Sequence, residues 1–280
     1  MTALELNCGS WQAVVLPGEG ANLSRLTYQG RDVLRSRAAA FQAGDGLPLY
    51  GSPVLFPANR TRDGFFSFRG QGYRLPINEP ARQNHLHGLV MGRAFQLLEV
   101  DGQRVLCRYA SVPADYPFRF ALTVSISLSL DGLTQQYTLE NREKRDFPAV
   151  FGLHTAFVRP DFLQVPLGSA WDRDDRFLPT GAVRPLSAQE ENWARGGPYH
   201  GEPLSGLYVA RGRSAQIGSF TYRVSELFDH WTLYSGNRRD FICVEPQAGR
   251  ADGLNCPEGH LLVPKGGALR FTTMIFKEER

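Results

Sequence analysis

Between Phe120 and Leu130 the chain alternates without interruption: Phe120, Leu122, Val124, Ile126, Leu128 and Leu130 are separated by Ala, Thr and Ser residues. A period of two lines up every second side chain on one side of a strand, whereas a helix would spread the same residues around its circumference. Asp131-Gly132 follows as a hairpin signal, and an apolar pattern resumes from Leu133 to Leu139. This predicts a long, half-buried antiparallel strand and its partner, and therefore a sheet with a core on one face.

The rest of the chain reads the same way. Leu4 to Cys8 alternates, Ala13 to Leu16 is a short apolar run ended by Pro17-Gly18, and Leu23 to Leu34 reads as a hairpin around Gln29-Gly30. Phe66 and Phe68 share one side of a strand that turns at Gly70-Gln71-Gly72 and returns through Tyr73 and Leu75. Phe95 to Tyr109 folds back about Asp101-Gly102, and Leu269 to Phe276 closes the chain as a strand. One segment alone reads as helix, Leu186 to Arg195: Pro185 precedes it, Ser187 and Glu190 have capping-box spacing, and Gly196-Gly197 ends it. Many strands, turns rich in Gly, and almost no helix predict an all-β protein, a large antiparallel β-sandwich or barrel. With no internal repeat or low-complexity linker, residues 1–280 read as a single domain.

The formal charge of +3 is small, and no dense Lys/Arg run points to nucleic acid or to an anionic membrane. No apolar run reaches membrane-spanning length, and the N-terminus lacks a signal-peptide pattern. Cys8, Cys107, Cys243 and Cys256 are scattered, mostly in apolar segments, which fits reduced thiols better than a disulfide frame or a zinc site. These features predict a cytoplasmic protein, monomer or homodimer.

Four segments carry residues suited to chemistry. Phe241-Ile242-Cys243-Val244 reads as a strand buried on both faces, with Glu245 at its end and Pro246 stopping it. A carboxylate held there without partners is costly, and a tuned acid or base is a common reason to tolerate it. In Gly51 to Arg60, two prolines around an apolar trio predict a rigid loop that presents Asn59 and Arg60, the latter with five donors for hydroxyls or a carboxylate. In Asn84-His85-Leu86-His87-Gly88 the histidines point to opposite sides of an extended segment, so one serves a site and the other the structure; Gly88 lets the backbone bend beside His87. His154, in Phe151 to Phe157, is a packed core histidine or a general acid. No metal signature, phosphate-binding loop or nucleophile elbow is present. One Arg, two His and one Glu on separate segments suit proton transfer without a cofactor.

At these positions the sequence resembles the aldose 1-epimerases (galactose mutarotases). The resemblance runs from Gly51 to the C-terminus and is anchored by Leu55-Phe56-Pro57-Ala58-Asn59-Arg60, Asn84-His85-Leu86-His87-Gly88, Gly152-Leu153-His154-Thr155-Ala156-Phe157 and Val244-Glu245-Pro246-Gln247. Phe177-Leu178-Pro179-Thr180-Gly181 and Leu262-Val263-Pro264-Lys265-Gly266 are also similar to the family. It implies a galactose mutarotase-like supersandwich, no cofactor, and a small sugar as substrate. It also implies roles: Glu245 takes the proton from the C1 hydroxyl, His154 protonates the ring oxygen, His87 hydrogen-bonds nearby, and Arg60 with Asn59 holds the sugar.

One departure concerns an Asp that many members of the family use for sugar hydroxyls. Ser205 stands at the aligned position, and Asp229 is a second, poorer candidate. Two other readings follow from the same residues. A hexose-6-phosphate 1-epimerase would hold phosphate with cationic side chains, for which Arg62 and Arg93 are candidates. A non-catalytic carbohydrate-binding or regulatory protein would share the scaffold without needing a base and an acid.

Overall fold

The computed structural model describes residues 2–278. The Phe120–Leu128 strand pairs antiparallel with Gly132–Asn141, Phe120 opposite Asn141 and Leu128 opposite Leu133. They belong to a nine-stranded antiparallel sheet. Its order is Gln96–Val100, Arg104–Ala110, Phe120–Leu128, Gly132–Asn141, Ala268–Phe276, Phe220–Val224, Ser214–Ile217, Phe162–Gln164 and Gly197–Pro198. The Phe120 strand is more than half-buried: Ala121 and Ser125, between the large apolar residues, are also covered. The N-terminal strands Leu4–Cys8 and Trp11–Leu16 lie against it. Leu130 falls beyond the strand end and is 77% exposed.

The expected hairpins form. Leu4–Cys8, Trp11–Leu16, Asn22–Tyr28 and Arg31–Asp32 make a four-stranded sheet, the last pair joined at Gln29-Gly30. Phe65–Phe68 pairs with Gln71–Arg74, but the turn is Arg69-Gly70, one residue earlier than expected, because Gln71 and Gly72 are already paired. The helix Ala188–Arg195 carries its capping box: the Ser187 side chain accepts from the Glu190 amide while the Glu190 carboxylate accepts from the Ser187 amide. A second helix, Arg37–Gln42, was not expected; at six residues it is too short to show a helical period.

Opposite the nine-stranded sheet lies an eight-stranded one. Its order is Pro179–Arg184, Leu167–Arg173, Leu204–Ala210, His230–Gly236, Phe241–Ala248, Phe151–Leu153 and Val54–Leu55, with Ala156–Val158 also on Phe241–Ala248. Between the sheets Phe151 stacks on Phe271 at 4.1 Å, and Tyr222 meets Phe157 at 5.3 Å and Trp231 at 6.2 Å. Burying one such side chain stabilises the fold by roughly 1.5–3 kcal/mol, and these rings join the two sheets into a sandwich.

Pro246 does not stop its strand, which continues to Ala248 with every residue buried. Alternation sorts that burial. Ile242, Val244 and Ala248 enter the sandwich core, while Phe241, Cys243, Glu245 and Gln247 face the other way. On the neighbouring edge Val244 N–H donates to the Thr155 carbonyl at 3.0 Å. Two residues on, the same edge belongs to Pro246, which has no N–H, and there the partner strand falls into two pieces, Phe151–Leu153 and Ala156–Val158. Both pieces keep one register against Phe241–Ala248, which sets His154 directly across from Glu245.

Candidate active site

The outward face of the eight-stranded sheet floors a cavity of about 710 Å³, within the roughly 300–1,000 Å³ usual for small-molecule sites. Neighbouring strands supply the floor in register: Glu245 opposite Thr232, then Tyr234 opposite Ser205, then Arg173 on the strand beyond. The walls come from Leu47-Pro48-Leu49 and from the segments carrying Asn59, Arg60, Glu79, Arg82, His87 and Phe177.

Glu245 and His154 are 1% and 3% exposed, and His154 Nε2 lies 3.2 Å from Glu245 Oε1. Burial pushes the Glu245 carboxyl up to about 8, against the opposing pull of the Gln247 amide and the Arg60 charge. Burial pushes the His154 imidazole down to about 3. A low-dielectric site disfavours a lone charge on either group, so at neutral pH the pair carries one proton and titrates as a unit. Cys243, two residues before Glu245 on the same face, completes a group whose ligand atoms lie within 4.8 Å of one another. A metal there would require the thiolate, and both burial and the Glu245 charge push that thiol far up.

The carboxylate is held from the side by a relay. Gln247 Nε2 donates to Glu245 Oε2 at 3.2 Å, Asn59 Nδ2 donates to Gln247 Oε1 at 3.0 Å, and the Arg60 amide donates to Asn59 Oδ1 at 3.0 Å. The Asn59 carbonyl in turn accepts from the His87 amide at 2.8 Å. Asn59 thus lines the pocket while its own amide group orients protein. His87 stands edge-on to His154 with ring centres 5.2 Å apart, and burial, with the charges of His154 and Arg60, holds it neutral. His85 does not line the pocket, and its Nδ1 contacts the Pro76 carbonyl at 2.7 Å. Gly88 has φ +68°, and a Cβ there would sit 1.9 Å from the Phe56 carbonyl oxygen. Asn59, His87 and Phe177 all adopt left-handed backbone, at φ +58°, +61° and +61°. Such residues are uncommon outside turns and gather at functional sites.

Arg60 points its fork at Glu79, Nε and Nη2 donating to the two carboxylate oxygens at 2.9 and 2.8 Å. Arg82 donates to the same carboxylate at 3.2 Å. Arg173 donates to the Ser205 carbonyl and has no carboxylate partner among the described residues. All three guanidinium groups surround one ring, Phe177, with their carbons 5.2, 4.4 and 5.1 Å from its centre. Arg62 and Arg93 are not part of this lining. Arg62 pairs with Asp174 and Asp252, and Arg93 with the buried Asp115. Ser205 does line the pocket, whereas Asp229 accepts from His230 Nδ1 and the Gly249 amide outside it. Arg82, Arg173 and Glu79 escaped the sequence reading, since each sits in an ordinary-looking charged stretch. Gln247 was within reach of it, as the residue two along from Glu245 on the same face.

Solved structures with this fold include a galactose mutarotase-like protein from Clostridium acetobutylicum. It is 21% identical, with a TM-score of 0.88 over 99% of this chain and 95% of that one. The galactose 1-epimerase from Lactobacillus acidophilus is 19% identical, with a TM-score of 0.78 over 96% and 92%. At such identity these likenesses establish the fold. The uncharacterized protein YihR of Escherichia coli K12 is 28% identical over 188 residues, 63% of this chain and 59% of that protein's length. No helix of the described residues is long and apolar enough to cross a membrane. A family model described as aldose 1-epimerase matches residues 3–252, and the chain belongs to that family.

Proposed function

We propose that this protein interconverts the α and β anomers of a cyclic aldose by acid/base ring opening and closure. The buried Glu245–His154 contact at the pocket floor carries this reading: a carboxylate and an imidazole 3.2 Å apart, holding one proton between them. In the reactive arrangement Glu245 is ionised and His154 protonated. Glu245 takes the proton of the C1 hydroxyl as His154 delivers one to the ring oxygen; the C1–ring oxygen bond breaks and C1 becomes an aldehyde. The proton has then moved, in effect, from imidazole to carboxyl, so neither half of the step leaves a net charge in the buried site. Rotation about C1–C2 presents the other face of the aldehyde. Closure reverses both transfers, Glu245 returning its proton to the carbonyl oxygen and His154 removing the one on the ring-forming hydroxyl. Neutral His87 hydrogen-bonds beside C1, and Arg60 holds hydroxyls while Glu79 fixes its fork. The pocket draws on residues from Leu47 to Glu245, consistent with one functional domain, and four free cysteines suit the cytoplasm.

The test is anomer equilibration, followed by polarimetry or NMR across a panel of aldoses. Purified protein should accelerate it for at least one sugar over the buffer rate, and Glu245→Gln should not. Acceleration retained in Glu245→Gln would remove the carboxylate from the mechanism. Tight sugar binding with no acceleration would instead make this a binding protein on an epimerase scaffold.

A further inference from the structure

We infer that the pocket rim built from Arg82, Arg173 and Phe177 receives a negatively charged substituent of the aldose, carried at the end of the ring away from C1. The inference rests on the epimerase reading for the position of C1, but its own evidence is separate from the Glu245 end.

Charge at the rim is unbalanced. The lining holds three guanidinium groups against two carboxylates, Glu79 and Glu245, and Glu245 belongs to the proton-transfer pair. Glu79 is shared between Arg60 and Arg82. Arg173 is left with the Ser205 carbonyl and hydroxyl. Neutral hydroxyls could satisfy its remaining N–H groups but not its charge, and a half-buried cation without a counter-ion is costly. Burial and the neighbouring Arg60 charge accordingly hold the Arg173 guanidinium below its ordinary value, although it stays protonated at neutral pH.

The rim is also rigid. Asp174 accepts from the amides of Arg176 and Leu178 and so closes the loop that carries Phe177. Arg176 then ties that loop to the Arg82 segment, its Nε donating to the Arg82 carbonyl at 2.9 Å and its Nη2 to the Gln83 carbonyl at 2.8 Å. The strained Phe177 backbone is thereby fixed with the ring between three cations. Mutual repulsion among them is offset by an anion more effectively than by any neutral group.

Position selects the end of the sugar. Arg173 bonds to Ser205, which lies two strands from Glu245 and, by pairing, level with Cys243, two residues along; this makes about 12 Å at ~4.8 Å per strand and ~3.4 Å per residue. That separation suits a pyranose ring plus one exocyclic group. The shared chemistry is an oxyanion that a planar fork can bind in bidentate fashion, whether phosphate, sulfonate or carboxylate.

The experiment compares initial rates for glucose, glucose 6-phosphate, 6-deoxy-6-sulfoglucose and glucuronic acid, in wild type, Arg173→Gln and Arg82→Gln, at low and high salt. At least one anionic sugar should exceed glucose in kcat/KM by about 10- to 100-fold, an advantage that salt reduces. Arg173→Gln should collapse that ratio mainly through a higher KM for the anionic sugar; Arg82→Gln should reduce it as well, and serves if the first variant fails to fold. Which sugar leads identifies the oxyanion. Glucose matching all three anions, or either folded variant slowing all four sugars in proportion, overturns the inference while leaving the epimerase intact. If no sugar is turned over, the epimerase reading fails. Calorimetric titration of wild type and Arg173→Gln with the three anionic sugars then decides the rim: Arg173-dependent binding upholds it and absence of binding overturns it.

Discussion

Two of the buried glutamates, Glu190 and Glu245, have surroundings that drive them in opposite directions. Glu190, in the capped helix, is 7% exposed. Burial alone would raise its carboxyl, but Arg184 in bidentate contact, the Ser187 amide and the Tyr208 hydroxyl overcome that and pull it down to about 2. Glu245 is buried more completely, receives one amide donor from Gln247, faces an imidazole in place of a cation, and is pushed up to about 8. Both residues are buried in the same fold, so depth alone does not set the direction in which a carboxyl is shifted. The number of charge-matched donors does.

The largest expected break in this contrast is kinetic. Glu245→Gln should lower catalysed anomer exchange by about 10³- to 10⁴-fold, within the range for losing a general base. Glu190→Gln should leave the rate within about twofold, since its partners Ser187, Arg184 and Tyr208 do not line the pocket. Comparable losses in both variants, measured by NMR exchange, would erase the distinction.

Stability should then diverge with pH. Glu245 binds its proton more tightly folded than unfolded, where the value is near 4.5. Its contribution is therefore most favourable below about 4.5 and is lost as pH rises through about 8. Wild type should fall behind Glu245→Gln over that window by about 5 kcal/mol in denaturant titrations. Glu190 has the reverse sign. Its contribution is present above about 4.5 and is lost as pH falls toward about 2, so Glu190→Gln should cost about 2 kcal/mol at pH 7 and less in acid. A variant pair with the same slope would contradict the two pKa directions.

The smallest effect sharpens the Glu245 side alone. Gln247→Leu removes the donor that lowers this carboxyl, so the ionised form becomes rarer and the pair keeps its proton to higher pH. We expect kcat to drop about tenfold and the alkaline limb of the rate profile, near 8 in wild type, to move upward. A drop without movement of the limb would mean that Gln247 acts only through packing.

Local features were legible in the sequence and distant ones were not. Hairpins such as Phe120 to Asn141 are announced by alternation and by turns within a dozen residues, and Ser187 with Glu190 announced its helix in the same way. Sheet order depends on pairings that no short window contains, such as Gly132–Asn141 with Ala268–Phe276. At the site, Glu245, His154, His87, Arg60 and Asn59 were individually visible and do line one pocket. Closeness in sequence misled for Arg62 and Arg93, whose partners Asp252 and Asp115 were chosen by the fold. Pro246 misled for a physical reason as well: it was expected to end a strand because it cannot donate, whereas the structure sets that missing donor against a break in the neighbouring strand.

The Ala268–Phe276 strand lies between Gly132–Asn141 and Phe220–Val224. It is the keystone of the larger sheet, and it bonds to a neighbour more than a hundred residues earlier. Until that pairing forms, the two wings of the sheet are separate, each with an unpaired edge. Closing a loop of that length precedes any reward from the contacts it creates, which places the protein among slow folders, with times of milliseconds to seconds or longer. During that interval the exposed edges of Gly132–Asn141 and Phe220–Val224 are the surfaces most open to wrong partners.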